Sequence, residues 1–319
     1  MGNFVVFDLE MNQGYKPYVF RYQGVEQTLR GEIIQIGAAR VDGEFRVLES
    51  FSLTLKPRIF RKLHHHVAKV TGLTQQDINR GLSMEEGLER FLRWCGEDAV
   101  LLEWGMDDVP VLKQNLVLLG MDENFPAKWY DLQQMVAEQF PPQADEKMNL
   151  EAVVQRMGLV GERPFHDALC DVLYTCEVAQ KLDIPRAFRN YPSEESQLYE
   201  SLSRKGEIHD FSLFHGHVDA MDWRNDPAIC RGSCPLCGGE LEPDELWLKL
   251  ASNSYYSLCR CRECRREVFL LFKLSRRDGL HWSFARATRL ADEDSSAKWN
   301  KEKKAALQRK NRKEEAEKA

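Results

Sequence analysis

Asn3-Phe4-Val5-Val6-Phe7-Asp8-Leu9-Glu10 sets the frame for the rest of the chain. Phe4–Phe7 is a short β-prone apolar run, the signature of a buried strand. That strand ends on two acids spaced i and i+2. Side chains so spaced leave a strand on the same face, so both carboxylates can reach one cation. A bare Asp-x-Glu is usually a solvated strand end, so its meaning depends on what else the fold brings to it.

Working outward, Glu32–Val41 (EIIQIGAARV) and Val47–Leu55 read as two more strands, joined by a tight turn at Asp42-Gly43 into a hairpin. Residues 84–95 repeat apolar positions at helical spacing, and 99–103 return to strand character. Helical patterns then cover 107–119, 131–139, 149–157 and 167–182. Strands first and helices interleaved later predict an α/β layer with a mixed sheet. Residues 185–229, with Pro185, Pro192 and Pro227, read as linker plus irregular helix. Residues 230–290 form a cysteine-rich unit with strand-like runs at 246–250, 267–274 and 281–286, and 291–319 a charged, solvated helix.

The chain has 319 residues, 43% hydrophobic and 29% charged, enough for one full core and a second, smaller unit. No apolar run reaches the roughly 18 residues that would span a bilayer. The N-terminal segment has no basic lead ahead of its apolar run, so no secretory signal is expected. Val6 stands where a myristoylation motif requires Ser or Thr. A cytoplasmic protein without a membrane segment is the expectation. The net charge of −6 conceals a basic tail: 298–319 hold nine basic residues (Lys298, Lys301, Lys303, Lys304, Arg309, Lys310, Arg312, Lys313, Lys318) against four glutamates. The acidic excess therefore lies in the body.

Two further acidic elements could join Asp8 and Glu10. In Leu102-Glu103-Trp104-Gly105-Met106-Asp107-Asp108-Val109, a Gly sits where strand gives way to helix, leaving room for a ligand near the backbone. One aspartate there would enter a site while the other caps the helix. In Pro164-Phe165-His166-Asp167-Ala168-Leu169-Cys170-Asp171, Asp167 fits a helix N-cap. That leaves His166 on the preceding loop and Asp171 about one turn inside, where a carboxylate suits the helix dipole.

The set Asp8-x-Glu10, an Asp near position 108 and His166-x4-Asp171 resembles the DEDDh exonuclease superfamily, which includes the proofreading epsilon subunit of DNA polymerase III and ribonuclease T. Glu32-Ile33-Ile34-Gln35-Ile36-Gly37-Ala38 is similar to that family's second strand, and Val70-Thr71-Gly72-Leu73-Thr74 to its Thr-Gly-Ile-Thr turn. The resemblance covers residues 1–184. It implies an RNase H-like fold, a mixed five-stranded sheet flanked by helices. Two departures are more similar to the ERI-like branch: Trp104-Gly105 replaces His-Asn, and an insertion (Asn12–Gly31) follows the first motif. In that branch the aspartate three residues after the Gly is the ligand, with an apolar residue four further on; Asp108 and Leu112 fit, and Asp107 does not.

The chemistry follows. Asp8, Glu10, Asp108 and Asp171 are hard oxygen ligands for two Mg²⁺ or Mn²⁺ ions about 4 Å apart, with Asp8 bridging. His166 would take the proton from the attacking water. Met11, Leu73 and Thr71 would contact the terminal nucleotide. The triplet His64-His65-His66 is read as part of a polar helix or turn before Thr71. The function implied is 3′→5′ hydrolysis of single-stranded nucleic acid, RNA favoured over DNA. The alternatives are a DNA proofreading or repair exonuclease and a catalytically silent binding module.

The cysteines divide sharply. Cys95, Cys170 and Cys176 stand among apolar neighbours and read as small buried hydrophobes. Cys234-x2-Cys237 and Cys261-x2-Cys264 are two knuckles 23 residues apart, a tetrahedral sulfur set for structural Zn²⁺ in a zinc ribbon. Cys230 and Cys259 are extra. Arg260, Arg262, Arg265 and Arg266 with Tyr255 and Tyr256 mark the ribbon as the place where a protein or nucleic-acid partner is expected.

Overall fold

A computed structural model describes residues 3–144, 146–159, 161–244 and 246–318, with the side chains of 313–318 outside that description. The side chains of the tail cations Lys313 and Lys318 therefore lie outside the described residues. The chain forms two compact units, one of residues up to Tyr191 with Arg277–Leu280, the other of Pro192–Arg276 and the segment from His281 onward.

In the first unit the elements run β1 (Phe4–Asn12), β2 (Val19–Tyr22), β3 (Val25–Thr28), β4 (Glu32–Val41), β5 (Val47–Lys56), α1 (His65–Thr71), α2 (Gln75–Arg80), β6 (Leu82–Ser83), α3 (Met84–Cys95), β7 (Val100–Glu103), α4 (Asp108–Leu118), β8 (Lys128–Asp131), α5 (Leu132–Gln139), α6 (Leu150–Arg156), α7 (Ala168–Ala179) and α8 (Ile184–Asn190). The main sheet has the order β6-β5-β4-β1-β7-β8. β5-β4-β1 is an antiparallel meander, and β1-β7-β8 is parallel. This is the mixed five-stranded sheet of an RNase H-like fold, with the two-residue β6 added at one edge. β6 and β8 are too short to be legible as sequence patterns. β2 and β3 form a separate hairpin inside the Asn12–Gly31 insertion.

Helices cover both faces, which is why β4 reads as a nearly unbroken apolar run rather than an alternation. Val5, Phe7 and Leu9 of β1 pack with residues of α3 and α4, such as Phe91 and Leu112. Val6 faces the opposite way, into a cluster with residues of α5, α6 and α7. Asp8 and Glu10 share the parity of Val6 and so lie on the α7 side.

The second unit contains α9 (Glu194–Ser203), β9 (His209–His217), α10 (Asp222–Asn225), α11 (Pro227–Cys230), β10 (Gly232–Ser233), β11 (Glu240–Glu242), β12 (Leu248–Ala251), β13 (Ser254–Cys261), β14 (Glu267–Ser275), β15 (Trp282–Leu290) and α12 (Glu293–Lys318). Its seven strands run β10-β11-β13-β14-β15-β9, with β12 on β13. The cysteine ribbon is thus one end of a larger sheet. That sheet includes β9, from the stretch read as linker and irregular helix. β9 sets Phe211, Leu213 and Phe214 among three histidines, Asp210, Ser212 and Gly216, and it pairs with β15, where Leu213 lies opposite Ala285 and Phe214 opposite Phe284.

Candidate functional site

Three local devices bring the acidic residues to one end of the sheet. The first is the β4–α7 contact. Gly37 lies opposite Asp8 across the β1–β4 ladder. A Cβ on Gly37 would stand 2.2 Å from the Ala168 carbonyl carbon and 2.3 Å from the Leu169 nitrogen, so α7 rests directly on the β4 backbone. Gln35 fastens the same junction: its Nε2 donates to Asp167 Oδ2 (3.0 Å), and its Oε1 accepts from the Ala168 N–H (3.2 Å). Asp167 caps α7 as expected, accepting from the Cys170 N–H (3.0 Å). Asp171 follows one turn on, buried, and its Oδ2 accepts from the His166 N–H (3.0 Å). His166 itself is exposed, on a left-handed backbone (φ +64°) that an L-residue adopts only when its surroundings impose it.

The second device seats Asp108. Glu103, at the end of β7 and fully buried, accepts from the Asp108 N–H (2.9 Å) and the Val109 N–H (3.1 Å). The cap of α4 is therefore Glu103, not Asp107, whose carboxylate makes no cap bond and is 90% exposed beside Arg30. Asp131 supports the turn by accepting from the Gly105 N–H (2.9 Å), and Gly105 has φ +97°. Asp108 itself is buried. The third device is a register shift between Glu10 and Met11, a bulge that re-aims the side chains at the strand exit.

Electrostatics show the convergence. Burial, reinforced by Asp171 and Asp167, pushes Asp8 up to about 8. Glu10 is pushed up to about 9 by burial and then by Asp8, Asp171 and Asp167. Asp108 stands well above the usual carboxylate range through burial, Asp8, Glu103 and Glu10, and Asp171 rises to about 6, chiefly through burial. For Asp167, burial acts upward, but the Cys170 N–H and Gln35 outweigh it and hold the group low. Ligand atoms of Glu10, His166 and Asp171 all lie within 4.8 Å of one another, whereas Asp8 and Asp108 fall outside that group and are linked to it through the charge effects they exert on one another.

The donor set fits hard divalent cations. No arginine or lysine is paired with Asp8, Glu10, Asp108 or Asp171 among the described residues, and Asp171 Oδ1 is buried without a partner. Oxygen donors crowded this closely, and deprived of countercharge, are the environment that Mg²⁺ or Mn²⁺ relieves.

Of the residues expected at the terminal nucleotide, Met11 and Leu73 are half-buried at the edges of apolar clusters. Thr71 uses its hydroxyl within its own helix end, donating to the Val67 carbonyl (3.0 Å) and accepting from the Leu73 N–H (3.1 Å). Sequence reasoning missed Glu103, Gln35 and Asp131 as supports. For Gln35 and Glu103 the available signal was a polar residue in an otherwise apolar strand, whereas Asp131 ends the short β8, Lys-Trp-Tyr-Asp, which offers no such contrast.

In the second unit the sulfurs of Cys234, Cys237, Cys261 and Cys264 all lie within 4.8 Å of one another. Each knuckle is a tight turn: the Gly238 N–H meets the Cys234 carbonyl (2.8 Å), and the Arg265 N–H meets that of Cys261 (3.1 Å). The backbone N–H groups of Cys264 and Glu263 draw Cys261 down, whereas hydrogen bonds from the neighbouring thiols push Cys237 up, so the four sulfurs share their protons as a group until a cation displaces them. Cys230 and Cys259 fall outside this group. Of the scattered cysteines, Cys95 and Cys176 are buried as expected, whereas Cys170 is only half-buried.

Residues 5–179 match the ribonuclease T family, described as Exonuclease. That match spans more than half of the chain, which therefore belongs to this exonuclease family. The chain is 26% identical over 176 residues to DNA polymerase III PolC-type of Clostridium perfringens, a match to 55% of this chain and 11% of that protein. It is 25% identical over 181 residues to the probable 3′-5′ exonuclease KapD of Bacillus subtilis, covering 54% of this chain and 86% of that one. Among solved structures, the nuclease domain of 3′hExo, a DEDDh family member bound to rAMP, aligns at TM-score 0.46 and 16% identity (59% of this chain, 92% of that one). The E. coli ExoI–ssDNA complex aligns at 0.49 and 17% (81% and 54%).

Proposed function

We propose that this chain is a divalent-metal-dependent 3′→5′ exonuclease acting on single-stranded nucleic acid, with RNA favoured over DNA. What supports the reading is the approach of Glu10, His166 and Asp171, whose ligand atoms lie within 4.8 Å of one another, beside the half-buried Asp8 and the buried Asp108, with no arginine or lysine paired to these carboxylates among the described residues. Residues 1–184 would be the catalytic part and 230–290 the ribbon. Those four carboxylates would hold two Mg²⁺ or Mn²⁺ ions, which, when bound, neutralise charge on the attacking and leaving oxygens. His166 takes the proton of the attacking water at a ring nitrogen, and its exposed position on the loop before α7 gives it access. The water oxygen bonds to phosphorus as the P–O3′ bond breaks, leaving a nucleoside 5′-monophosphate and a strand with a new 3′-hydroxyl. Met11, Leu73 and Thr71 would border the terminal nucleotide.

The preference for RNA rests on the ERI-like features, Trp104-Gly105 and the Asn12–Gly31 insertion. Cys234, Cys237, Cys261 and Cys264 would hold a structural Zn²⁺, and a reducing cytoplasm would keep their thiols available to it. No helix among the described residues is long and apolar enough to cross a membrane. The test is digestion of matched 5′-labelled RNA and DNA single strands with Mn²⁺ or Mg²⁺. A ladder shortening from the 3′ end, abolished by Asp8→Ala, by His166→Ala and by chelator, is expected. Intact strands with every metal would refute the reading.

A further inference from the structure

The histidine triplet has no part in the site described above, yet its setting is unusually well built. His64 is the N-cap of α1, and its ring stacks within a small group that stays open to solvent. The Tyr15 and His64 ring centroids lie 4.5 Å apart, those of His64 and His65 4.6 Å, and those of Tyr15 and His65 6.3 Å with planes only 16° from parallel. Lys62 Nζ stands 5.8 Å from the Tyr15 ring centroid, and Tyr15 is 61% exposed.

This group is mounted rigidly on the catalytic strand. Asn12, wholly buried two residues beyond Glu10, donates to the carbonyls of Phe60 (2.6 Å) and Lys62 (3.0 Å) and accepts from the His64 N–H (2.9 Å). Buried Glu32 accepts from the N–H groups of Arg58, Ile59 and Phe60. On the other side Gly14 lies flat on Phe60, where a Cβ would come within 2.5 Å of the ring. Two buried polar residues thus fix a loop whose outward face is exposed, as a preorganised binding surface requires.

The charge pattern matches. From residue 50 to residue 76 there is no acid, but there are Lys56, Arg58, Arg61, Lys62, Lys69 and the triplet; residues 11–25 likewise carry Lys16 and Arg21 and no acid. Arg58 and Arg21 are paired with Glu85 and Glu26, whereas Lys16, Lys62 and Lys69 have no acidic partner among the described residues. On a chain of net charge −6 this is a local cationic surface with exposed rings, the combination that takes phosphates and stacked bases together. A metal fits less well. His64 Nδ1 already accepts from the His66 N–H (3.3 Å), and the triplet is not among the groups of described residues whose donors converge.

We propose that Tyr15, His64 and His65, with Lys16 and Lys62, form a stacking and phosphate-binding surface for single-stranded nucleic acid, engaging nucleotides on the 5′ side of the 3′ end held at the carboxylates. This deepens, and rests on, the exonuclease reading. The full chain with Mn²⁺ is assayed on a 12-nucleotide single strand and on the p-nitrophenyl ester of thymidine 5′-monophosphate, which is too small to reach the surface. Anisotropy of the fluorescein-labelled 12-mer in chelator measures binding without cleavage.

Tyr15→Ala combined with His65→Ala should raise KM and weaken binding of the 12-mer about tenfold or more, with hydrolysis of the ester unchanged. Tyr15→Phe, which keeps the ring but loses the hydroxyl 3.5 Å from His65 Nδ1, should bind more tightly than the double variant, and Lys62→Ala should flatten the salt dependence of binding by roughly one phosphate. Unchanged KM and anisotropy in the double variant, beside an active parent, would overturn the proposal. A parent that binds the 12-mer through Tyr15 but cleaves neither substrate would instead sink the exonuclease reading.

Discussion

Gly37 offers the sharpest test of how this site is assembled. Replacing it with alanine places a methyl carbon 2.2–2.3 Å from backbone atoms of Ala168 and Leu169, where ordinary contact needs about 3.5–4.0 Å. The obstacle is backbone on both sides, so no rotamer change relieves it. α7 must retreat from β4 by more than about 1 Å, or the sheet must buckle. Overpacking of this kind costs about 1–3 kcal/mol, and in a domain of this size each kcal/mol lowers Tm by roughly 2–4 °C.

The functional loss should exceed the loss of stability, because α7 carries Asp171 one turn beyond the contact and its loop carries His166. A displacement of about 1 Å in such a constellation costs on the order of a hundredfold in rate. Scanning fluorimetry and initial rates on a labelled single strand, with Gly43→Ala as control, would measure both effects. Gly43 has nothing within 4 Å of its added Cβ, and its variant should match the parent. A Gly37→Ala chain that melts a few degrees lower but hydrolyses at the parent rate would show that α7 does not set the position of the acidic cluster.

Asp171→Asn removes one of several crowded negative charges, so the metal-free chain should melt higher than the parent while its stabilisation by saturating Mg²⁺ shrinks; a metal-induced shift as large as the parent's would contradict the assigned donor set. Glu103→Ala should lower stability by about 1–3 kcal/mol, because two buried N–H groups of α4 lose their acceptor, and should weaken Mg²⁺ dependence through Asp108. Denaturant melts and an Mg²⁺ titration of activity would check it, and full activity at parental Mg²⁺ would show that the cap does not position Asp108. Elemental analysis of the purified chain should find one Zn²⁺ per molecule, lost in Cys261→Ser; a metal-free parent with an undiminished Tm would refute a structural zinc.

Much of this was legible in the chain itself. Asp8 and Glu10 on one strand face, Asp171 one turn into a capped helix and the paired Cys-x2-Cys knuckles are all local patterns, and local patterns survive as sequence periodicity. The α4 cap was not legible. Asp107 has the better capping residue type and position, but Glu103 takes the role because β7 delivers its carboxylate to the helix end from inside the core. β8 and β9 were equally hidden, the first because it has only four residues and the second because Phe211, Leu213 and Phe214 stand among three histidines, Asp210, Ser212 and Gly216.

The sequence alone determined which residue types could do the chemistry and their order along the chain: hard carboxylates and a histidine in one half, soft thiolates in the other. Their meeting was decided by tertiary structure. Asp8 and Asp171 are 163 positions apart, and only the close approach of α7 to Gly37, secured by Gln35, puts their charges within reach of each other. The same holds for the rings of Tyr15 and His64, which no spacing rule connects and which lie 4.5 Å apart on a loop held by the buried Asn12. Periodicity encodes which way a side chain points from its own element, whereas the distance between elements is set by packing, and packing depends on every residue at the contact.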